Sequence, residues 1–157
     1  MQVSSIDAVL WFFGSFVCEN RFMVNCRVGL MLAAVGLVQA QGVVRSLPEV
    51  KFEQDQDVKC LSSAVETGDP AKGPSTIILK APANCVIPWH YHTAEEQLIV
   101  VQGKVPTEME GMPKQILAPG GFAMMPGKAK HRFSCEAKSG CILFVTFDRA
   151  YDIFWVK

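Results

Sequence analysis

Short apolar runs separated by turn residues make up most of the chain after residue 41. The runs recur about every 8–12 residues, and dense clusters of Gly and Pro lie between them, as in 67–74 (TGDPAKGP). No window of about 12 or more residues in this part has a convincing helical period. We expect strands over 58–65, 76–80, from 85 onward, and over 97–102, 115–117, 122–125, 131–135, 141–147 and 153–156. The pattern predicts an all-β fold, as a sandwich or barrel.

The first forty residues differ from the rest. An apolar run over 28–38 (VGLMLAAVGLV) is preceded by Arg27 and followed by a small-residue end at Ala40, and these are the three parts of a secretory signal. The run is too short to span a bilayer, which needs about 20 apolar residues. We expect Met23 to be the natural start, Ala40 to be the last residue before cleavage, and a secreted or periplasmic mature domain over 41–157. An uncleaved membrane anchor or a loose N-terminal helix is the alternative.

Length and charge narrow the classes of partner. A chain of 157 residues favours one domain, and a hydrophobic content of 50% is enough for a core of ordinary size. Fifteen basic residues balance fifteen acidic ones, and no long block of like charge is present. Nothing in the sequence therefore indicates binding to nucleic acid or to an acidic membrane surface.

Four of the six cysteines follow Ala40, and an even number is typical of proteins in an oxidising compartment. Cys135 and Cys141 flank a predicted hairpin turn. Facing Cβ atoms of paired strands lie about 4.5–5.5 Å apart, so these two could form a disulfide. The alternative is that Cys60, Cys85, Cys135 and Cys141 are buried free thiols, which behave as small hydrophobic residues.

The three histidines of the chain are the main chemical signal. His90 and His92 stand two apart in a predicted strand, so their side chains share one face. Glu96 keeps this parity, whereas Glu95 should point away. His131 lies far downstream at the start of another strand. Imidazole and carboxylate groups suit divalent first-row metals, and facing strands of a small barrel could bring them together.

The spacing of these residues, and of the glycines and proline around them, resembles the two signature motifs of the cupin superfamily. The motifs read His90-x-His92-x3-Glu96-x6-Gly103 and Gly120-x5-Pro126-x4-His131. The resemblance implies a compact, single antiparallel β-barrel of the cupin jelly-roll type over 41–157. It also implies one divalent transition metal (Fe, Mn, Ni, Cu or Zn) bound by His90, His92, Glu96 and His131. The tail 147–156 is similar to that of a secreted group of small single-domain cupins.

Three positions depart from the motifs. Asn84 and Lys128 stand where the family usually has Gly, and Cys135 stands where it usually has Asn. Asn tolerates a left-handed backbone better than most residues, so the turn at Asn84 can survive. None of the three is a ligand in the motifs, but the shape of the loop before His131 is put in question.

Aromatic residues surround the expected site. Trp89 and Tyr91 alternate with the two histidines and should face away from the metal, into packing between sheets or a subunit contact of a homodimer; substrate stacking is the alternative. Phe133 shares the parity of His131 and is the best candidate for the wall of a cavity over the metal. Phe122, Met124 and Met125 are further candidates, and ordinary core packing is the alternative for all four.

Three imidazoles and one carboxylate leave about two positions open on an octahedral ion. We therefore expect an enzyme, namely a metal-dependent oxygenase or a related lyase or isomerase acting on a small organic molecule. No nucleophilic triad is available because all three histidines are used, and Glu95, Glu108 and Tyr91 are candidate bases that spacing does not favour. The alternative is a non-catalytic secreted module that binds a small ligand or a metal. A redox or metal sensor using Cys135 is a third interpretation.

Overall fold

The structure is a computed structural model, and it describes residues 42–157. The expected start at Met23 and the signal peptide ending at Ala40 lie outside the described residues. Among the residues that are described, no helix is long and apolar enough to cross a membrane.

Eleven β-strands and one short 3-10 helix, Leu47–Glu49, form the described part of the chain. In chain order the strands are β1 Glu53–Gln54, β2 Ser62–Gly68, β3 Ser75–Ala81, β4 Val86–Tyr91, β5 Glu96–Gln102, β6 Val105–Met109, β7 Gln115–Leu117, β8 Phe122–Met125, β9 His131–Ser134, β10 Cys141–Phe147 and β11 Phe154–Trp155.

The strands form two antiparallel sheets. One has the order β1-β2-β3-β10-β5-β8 and the other the order β11-β4-β9-β6-β7. The prediction of an all-β antiparallel fold is confirmed, and two such sheets are consistent with a jelly roll. Over residues 42–157, however, no strand pairing joins one sheet to the other, so hydrogen bonding alone does not close the strands into a barrel.

Most strand predictions match the structure, and two differ for local reasons. The strand expected over 58–65 begins only at Ser62, because Asp55 accepts the backbone N–H groups of Asp57 and Val58 and so holds a turn before it. Strand β6 was not predicted, because Pro106 interrupts its pattern. Pro106 is tolerated because pairing with β9 begins only at Thr107.

The inner faces of the two sheets build one apolar core from alternate residues of each strand. Leu98, Val100, Leu143 and Val145 are almost completely buried within it. Apolar burial of this kind stabilises the fold by about 25 cal/mol per Å² removed from water. The core therefore gives the sheets a source of stability independent of any metal.

Two disulfides reinforce the core. Cys135 pairs with Cys141 across the predicted hairpin turn, and Cys60 pairs with Cys85 at a separation of 25 residues. The disulfide at the hairpin is thus confirmed, and the alternative of four free thiols is wrong. The Cys60–Cys85 bond ties the segment before β2 to the segment that leads into β4.

Candidate metal centre

The four candidate ligands come from both sheets. His90 lies in β4 directly opposite His131 of β9, and Glu96 is the first residue of β5 in the other sheet. His92 follows the end of β4 by one residue. A site built here therefore spans the space between the sheets, at the end where β4 turns into β5.

The ligand atoms converge in a buried cluster. One donor atom from each of His90, His92, Glu96 and His131 lies within 4.8 Å of the others. The Nε2 atoms of His92 and His131 are 3.2 and 3.0 Å from Oε2 of Glu96. Each of the four residues is at most 4% exposed. The residues that the spacing singled out are thus together, whereas metal binding itself stays a prediction.

The other ring nitrogen of each histidine faces a backbone carbonyl. Nδ1 of His90 lies 2.7 Å from the carbonyl oxygen of Pro88, and Nδ1 of His131 lies 2.8 Å from that of Ala129. For His92 the acceptor is the carbonyl of Asp152. A carbonyl can only accept, so Nδ1 carries a proton in each ring, and Nε2 is the nitrogen that would bind a metal once any proton it donates to Glu96 has left. This arrangement fits a divalent transition metal.

The pKa values at the cluster follow from burial and from Glu96. Burial, together with the adjacent His131, lowers the pKa of His90 to about 4. Burial disfavours the charged form of Glu96, but hydrogen bonds from His131 and His92 outweigh it and lower the pKa of the carboxyl to about 2. Burial likewise disfavours protonated His92, but the hydrogen bond to Glu96, the charge of Glu96 and the hydrogen bond and charge of Asp152 together outweigh that effect and raise the pKa of His92. The metal-free cluster therefore holds an ionised Glu96 beside a neutral His90, and His92 keeps its proton to a higher pH than a free imidazole does.

Glu96 points into the cluster and Glu95 does not, as expected, although a turn between β4 and β5 separates Glu96 from the strand of His90. Glu96 is 2% exposed and points into the cluster. Glu95 is only half-buried, and its carboxylate accepts a hydrogen bond of 2.7 Å from Gln97. The two side chains therefore point in different directions, Glu95 from the end of the turn 92–95 and Glu96 from the first residue of β5.

A sequence model of the cupin domain family matches residues 78–147, the segment that carries all four cluster residues. Residues 78–147 therefore form a cupin domain. Among curated proteins, none matches the sequence significantly.

Solved structures share the fold of this cupin at low identity. The polyketide cyclase RemF from Streptomyces resistomycificus is 18% identical with a TM-score of 0.64, over 76% of this chain and 87% of that one. KdgF from Halomonas sp. is 20% identical with a TM-score of 0.56, over 66% and 93%. The DMSP lyase DddQ from Ruegeria pomeroyi DSS-3 is 17% identical with a TM-score of 0.58 over 68% of this chain, which spans 61% of that protein. These likenesses show the fold alone.

The two turns that depart from the cupin motifs keep a left-handed backbone. Asn84 has φ of 64° and Lys128 has φ of 69°. The N–H of Lys128 donates a 2.7 Å hydrogen bond to the carbonyl of His92, which connects this turn to the ligand segment. At Gly127 a Cβ atom would lie 2.6 Å from the carbonyl oxygen of Thr93, so the close approach requires Gly. The loop before His131 thus keeps its shape with Lys in a position that favours Gly.

A cavity of about 520 Å³ opens beside the cluster and is lined by His90, His92 and Glu96. Ligand sites for small molecules have volumes of about 300–1,000 Å³. Phe133, the best candidate for a wall, does line this cavity. Its apolar walls include Ile77, Leu79, Ile87, Val145 and Phe147.

The other three candidates for the cavity wall are placed elsewhere. Phe122 and Met124 are 55% and 41% exposed, because in edge strand β8 their parity points them to the outer face of the sheet. Met125 is 2% exposed and packs in the core rather than at the cavity. The prediction was wrong for these three residues as lining residues.

Sequence reasoning missed Tyr151 and the segment before β2. Tyr151 lines the cavity, and its ring centroid lies 5.2 Å from that of His92. Burial, reinforced by the nearby carboxylates of Asp57 and Asp55, raises the pKa of the Tyr151 phenol. Both aspartates also line the cavity. The aromatic tail was a signal for Tyr151, but nothing in the spacing relates residue 55 or 57 to the site.

Trp89 and Tyr91 face away from the cluster, as predicted. Tyr91 stacks on Phe154 with ring centroids 5.0 Å apart, and the guanidinium of Arg132 lies 5.1 Å from the Trp89 ring. Both contacts are within the chain and lie outside the cavity. A homodimer through this surface stays a prediction.

Proposed function

We propose that this cupin binds one divalent first-row transition metal through His90, His92, Glu96 and His131, and uses it to hold a small organic molecule in the adjoining cavity. The observation that carries the proposal is the orientation of the three imidazoles. Each has Nδ1 against a backbone carbonyl, and Nε2 of both His92 and His131 lies within 3.2 Å of Oε2 of Glu96. Iron, manganese, nickel, copper and zinc all accept this ligand set.

The favoured activity is that of a metal-dependent oxygenase or a related lyase or isomerase. When bound, the metal would supply a Lewis acid with open positions for a substrate oxygen. The apolar walls around Phe133 would exclude water from the bound molecule. The Tyr151 phenol, which stays protonated because its pKa is raised, could donate a hydrogen bond to it. The names of the neighbours, a polyketide cyclase and DMSP lyases, support a small organic substrate.

The alternative is a module that binds a small ligand or metal without turnover. Glu95, Glu108 and Tyr91, the candidate bases, do not line the cavity, and the raised pKa of Tyr151 makes its phenol a poor base. Measuring oxygen uptake by the iron-loaded protein with catechols, flavonols, thiols and oxalate distinguishes the enzyme from the binding module. Uptake with a defined product supports the enzyme. Saturable binding of one of these compounds without product supports the module.

We also propose that the domain is secreted or periplasmic. Two disulfides within one small domain support this, since disulfides persist in oxidising compartments. N-terminal sequencing of the exported protein tests the proposal. The expected mature chain begins after Ala40, and a chain that retains residues 28–38 would contradict it.

The adjacent glutamates provide a matched test of the metal site. Glu96→Gln should lower metal affinity by tenfold or more, because it removes the charged ligand, by analogy with the losses of about 10–100-fold seen when even supporting groups are removed. Glu95→Gln makes the same chemical change one residue away, on a side chain that does not point into the cluster, and should leave affinity unchanged. The measurement is a competition titration after metal analysis shows one ion per chain. Equal effects of the two substitutions would refute the assignment.

A further inference from the structure

The C-terminal segment 148–156 crosses from one sheet to the other beside the metal cluster. It leaves β10 at Phe147 and adds β11 to the second sheet, where Trp155 pairs with His90. Asp148 and Asp152 are the two aspartates of this segment. Both contact the turn 92–95, which carries one ligand and precedes another.

Asp152 makes three contacts with consecutive residues of that turn. Its carbonyl oxygen faces Nδ1 of His92. Its carboxylate accepts the N–H of Thr93 at 2.7 Å and the hydroxyl of Thr93 at 2.6 Å. Because the Asp152 side chain is hydrogen-bonded to Thr93, it fixes the position of the Asp152 carbonyl relative to the imidazole of His92.

Asp148 anchors the other end of the same turn. Its carboxylate accepts the N–H of Glu95 at 2.9 Å, and its own N–H lies 3.3 Å from the carbonyl of Glu95. The segment is therefore bound at both ends of the turn, and residues 149–151 span the distance between the two attachments.

The three histidines differ in where their acceptors come from. The carbonyls that face His90 and His131 belong to Pro88 and Ala129, two residues earlier in the chain in each case. The acceptor for His92 is 60 residues away. Local backbone geometry thus orients His90 and His131, whereas the orientation of His92 depends on a tertiary contact.

We propose that Asp152 is a positioning residue that sets the tautomer and orientation of His92 for the metal. The inference rests on the proposed function in that it takes the cluster to be a metal site. Groups that hold a metal-binding histidine through its second nitrogen change metal affinity by about 10–100-fold when they are removed. Asp152→Ala keeps the carbonyl and removes only the side chain that positions it, so we expect a loss near the lower end of this range, about tenfold.

Three variants test the role of the Asp152 side chain. Asp152→Ala removes both contacts to Thr93. Asp152→Asn keeps an oxygen for the N–H of Thr93 and gains an amide that can donate to the hydroxyl, so it should restore most of the affinity. Asp69→Ala is the matched control, because the half-exposed Asp69 carboxylate also accepts a backbone N–H, that of Ala71, in a loop without a metal ligand.

Two readouts distinguish positioning from loss of folding. Cobalt(II) is the probe for affinity and for the visible ligand-field spectrum, which reports ligand number and geometry. Imidazole ¹H–¹⁵N spectra of the metal-free protein report whether Nδ1 of His92 carries a slowly exchanging proton. In Asp152→Ala we expect weaker cobalt binding, an altered spectrum and a faster-exchanging proton, with Asp69→Ala unchanged.

The outcomes separate this inference from the proposed function. If the wild-type protein binds cobalt and Asp152→Ala matches it in affinity, spectrum and proton exchange, the inference is overturned and the metal site stands. If the wild-type protein does not bind metal, the proposed function fails, and the ¹⁵N spectra still decide whether Asp152 orients His92. Should Asp152→Ala fail to fold, Thr93→Val removes only the hydroxyl contact and should cause a smaller loss in the same direction. Wild-type behaviour of Thr93→Val would then count against the inference.

Discussion

Removal of the metal should lower the melting temperature without abolishing cooperative unfolding. His90 and His131 face each other on neighbouring strands, and Glu96 joins them from the other sheet, so a bound ion cross-links both sheets. The metal-free protein keeps the apolar core and both disulfides, and Glu96 keeps its hydrogen bonds to two histidines. It should therefore remain folded, unlike a zinc finger.

The size of the shift follows from binding linkage. A ligand bound only by the folded state stabilises it by RT ln(1 + [L]/Kd), which is about 2.7 kcal/mol at a hundredfold excess over Kd. For a domain of this size, 1 kcal/mol corresponds to about 4 °C in melting temperature. A chelator added to the metal-loaded protein at this excess should therefore lower the melting temperature by about 10 °C.

The assay is a calorimetric melt with and without chelator, on protein shown beforehand to contain metal. The control is the double variant His90→Ala, His131→Ala, in which the chelator should have no effect because little of the site is left. A wild-type melt that does not respond to the chelator would refute the argument that the ion cross-links the sheets. A metal-free protein that melts without a cooperative transition would refute the argument that the core suffices.

Two further predictions concern protons and backbone strain. Because contacts with Glu96 raise the pKa of His92 in the metal-free protein, a metal that binds below that pKa must displace a proton from His92. Metal affinity should therefore fall by about tenfold per pH unit as the pH drops below the pKa of His92, and calorimetry in two buffers measures the protons released. A metal affinity that does not change from about pH 8 to pH 5 would contradict this prediction. Lys128→Gly should raise the free energy of unfolding of the metal-free protein by about 1 kcal/mol, measured with denaturant, because Lys is strained at positive φ. Asn84→Gly should give a smaller gain in stability because Asn tolerates that conformation. Equal gains for the two substitutions would count against strain at Lys128.

The sequence by itself determined which residues could form the site, because their side-chain chemistry and their spacing along the chain were enough to single out His90, His92, Glu96 and His131. Strand parity gave the right residues but was not the physical reason, since β4 ends at Tyr91 and Glu96 begins β5 in the other sheet. Similarly, Asn84 in a motif position that favours Gly indicated a left-handed turn, which is a property of one residue and its neighbours.

Only the tertiary structure decided which residues from distant parts of the chain contact the site. Strand spacing does not say which strand faces which, so neither the pairing of His90 with His131 nor the outward position of Phe122 on an edge strand followed from the sequence. The contact of Asp152 with His92 and the place of Tyr151 in the cavity arise where the chain passes from one sheet to the other. Such contacts depend on how the two sheets pack together, and no local period in the sequence encodes that packing.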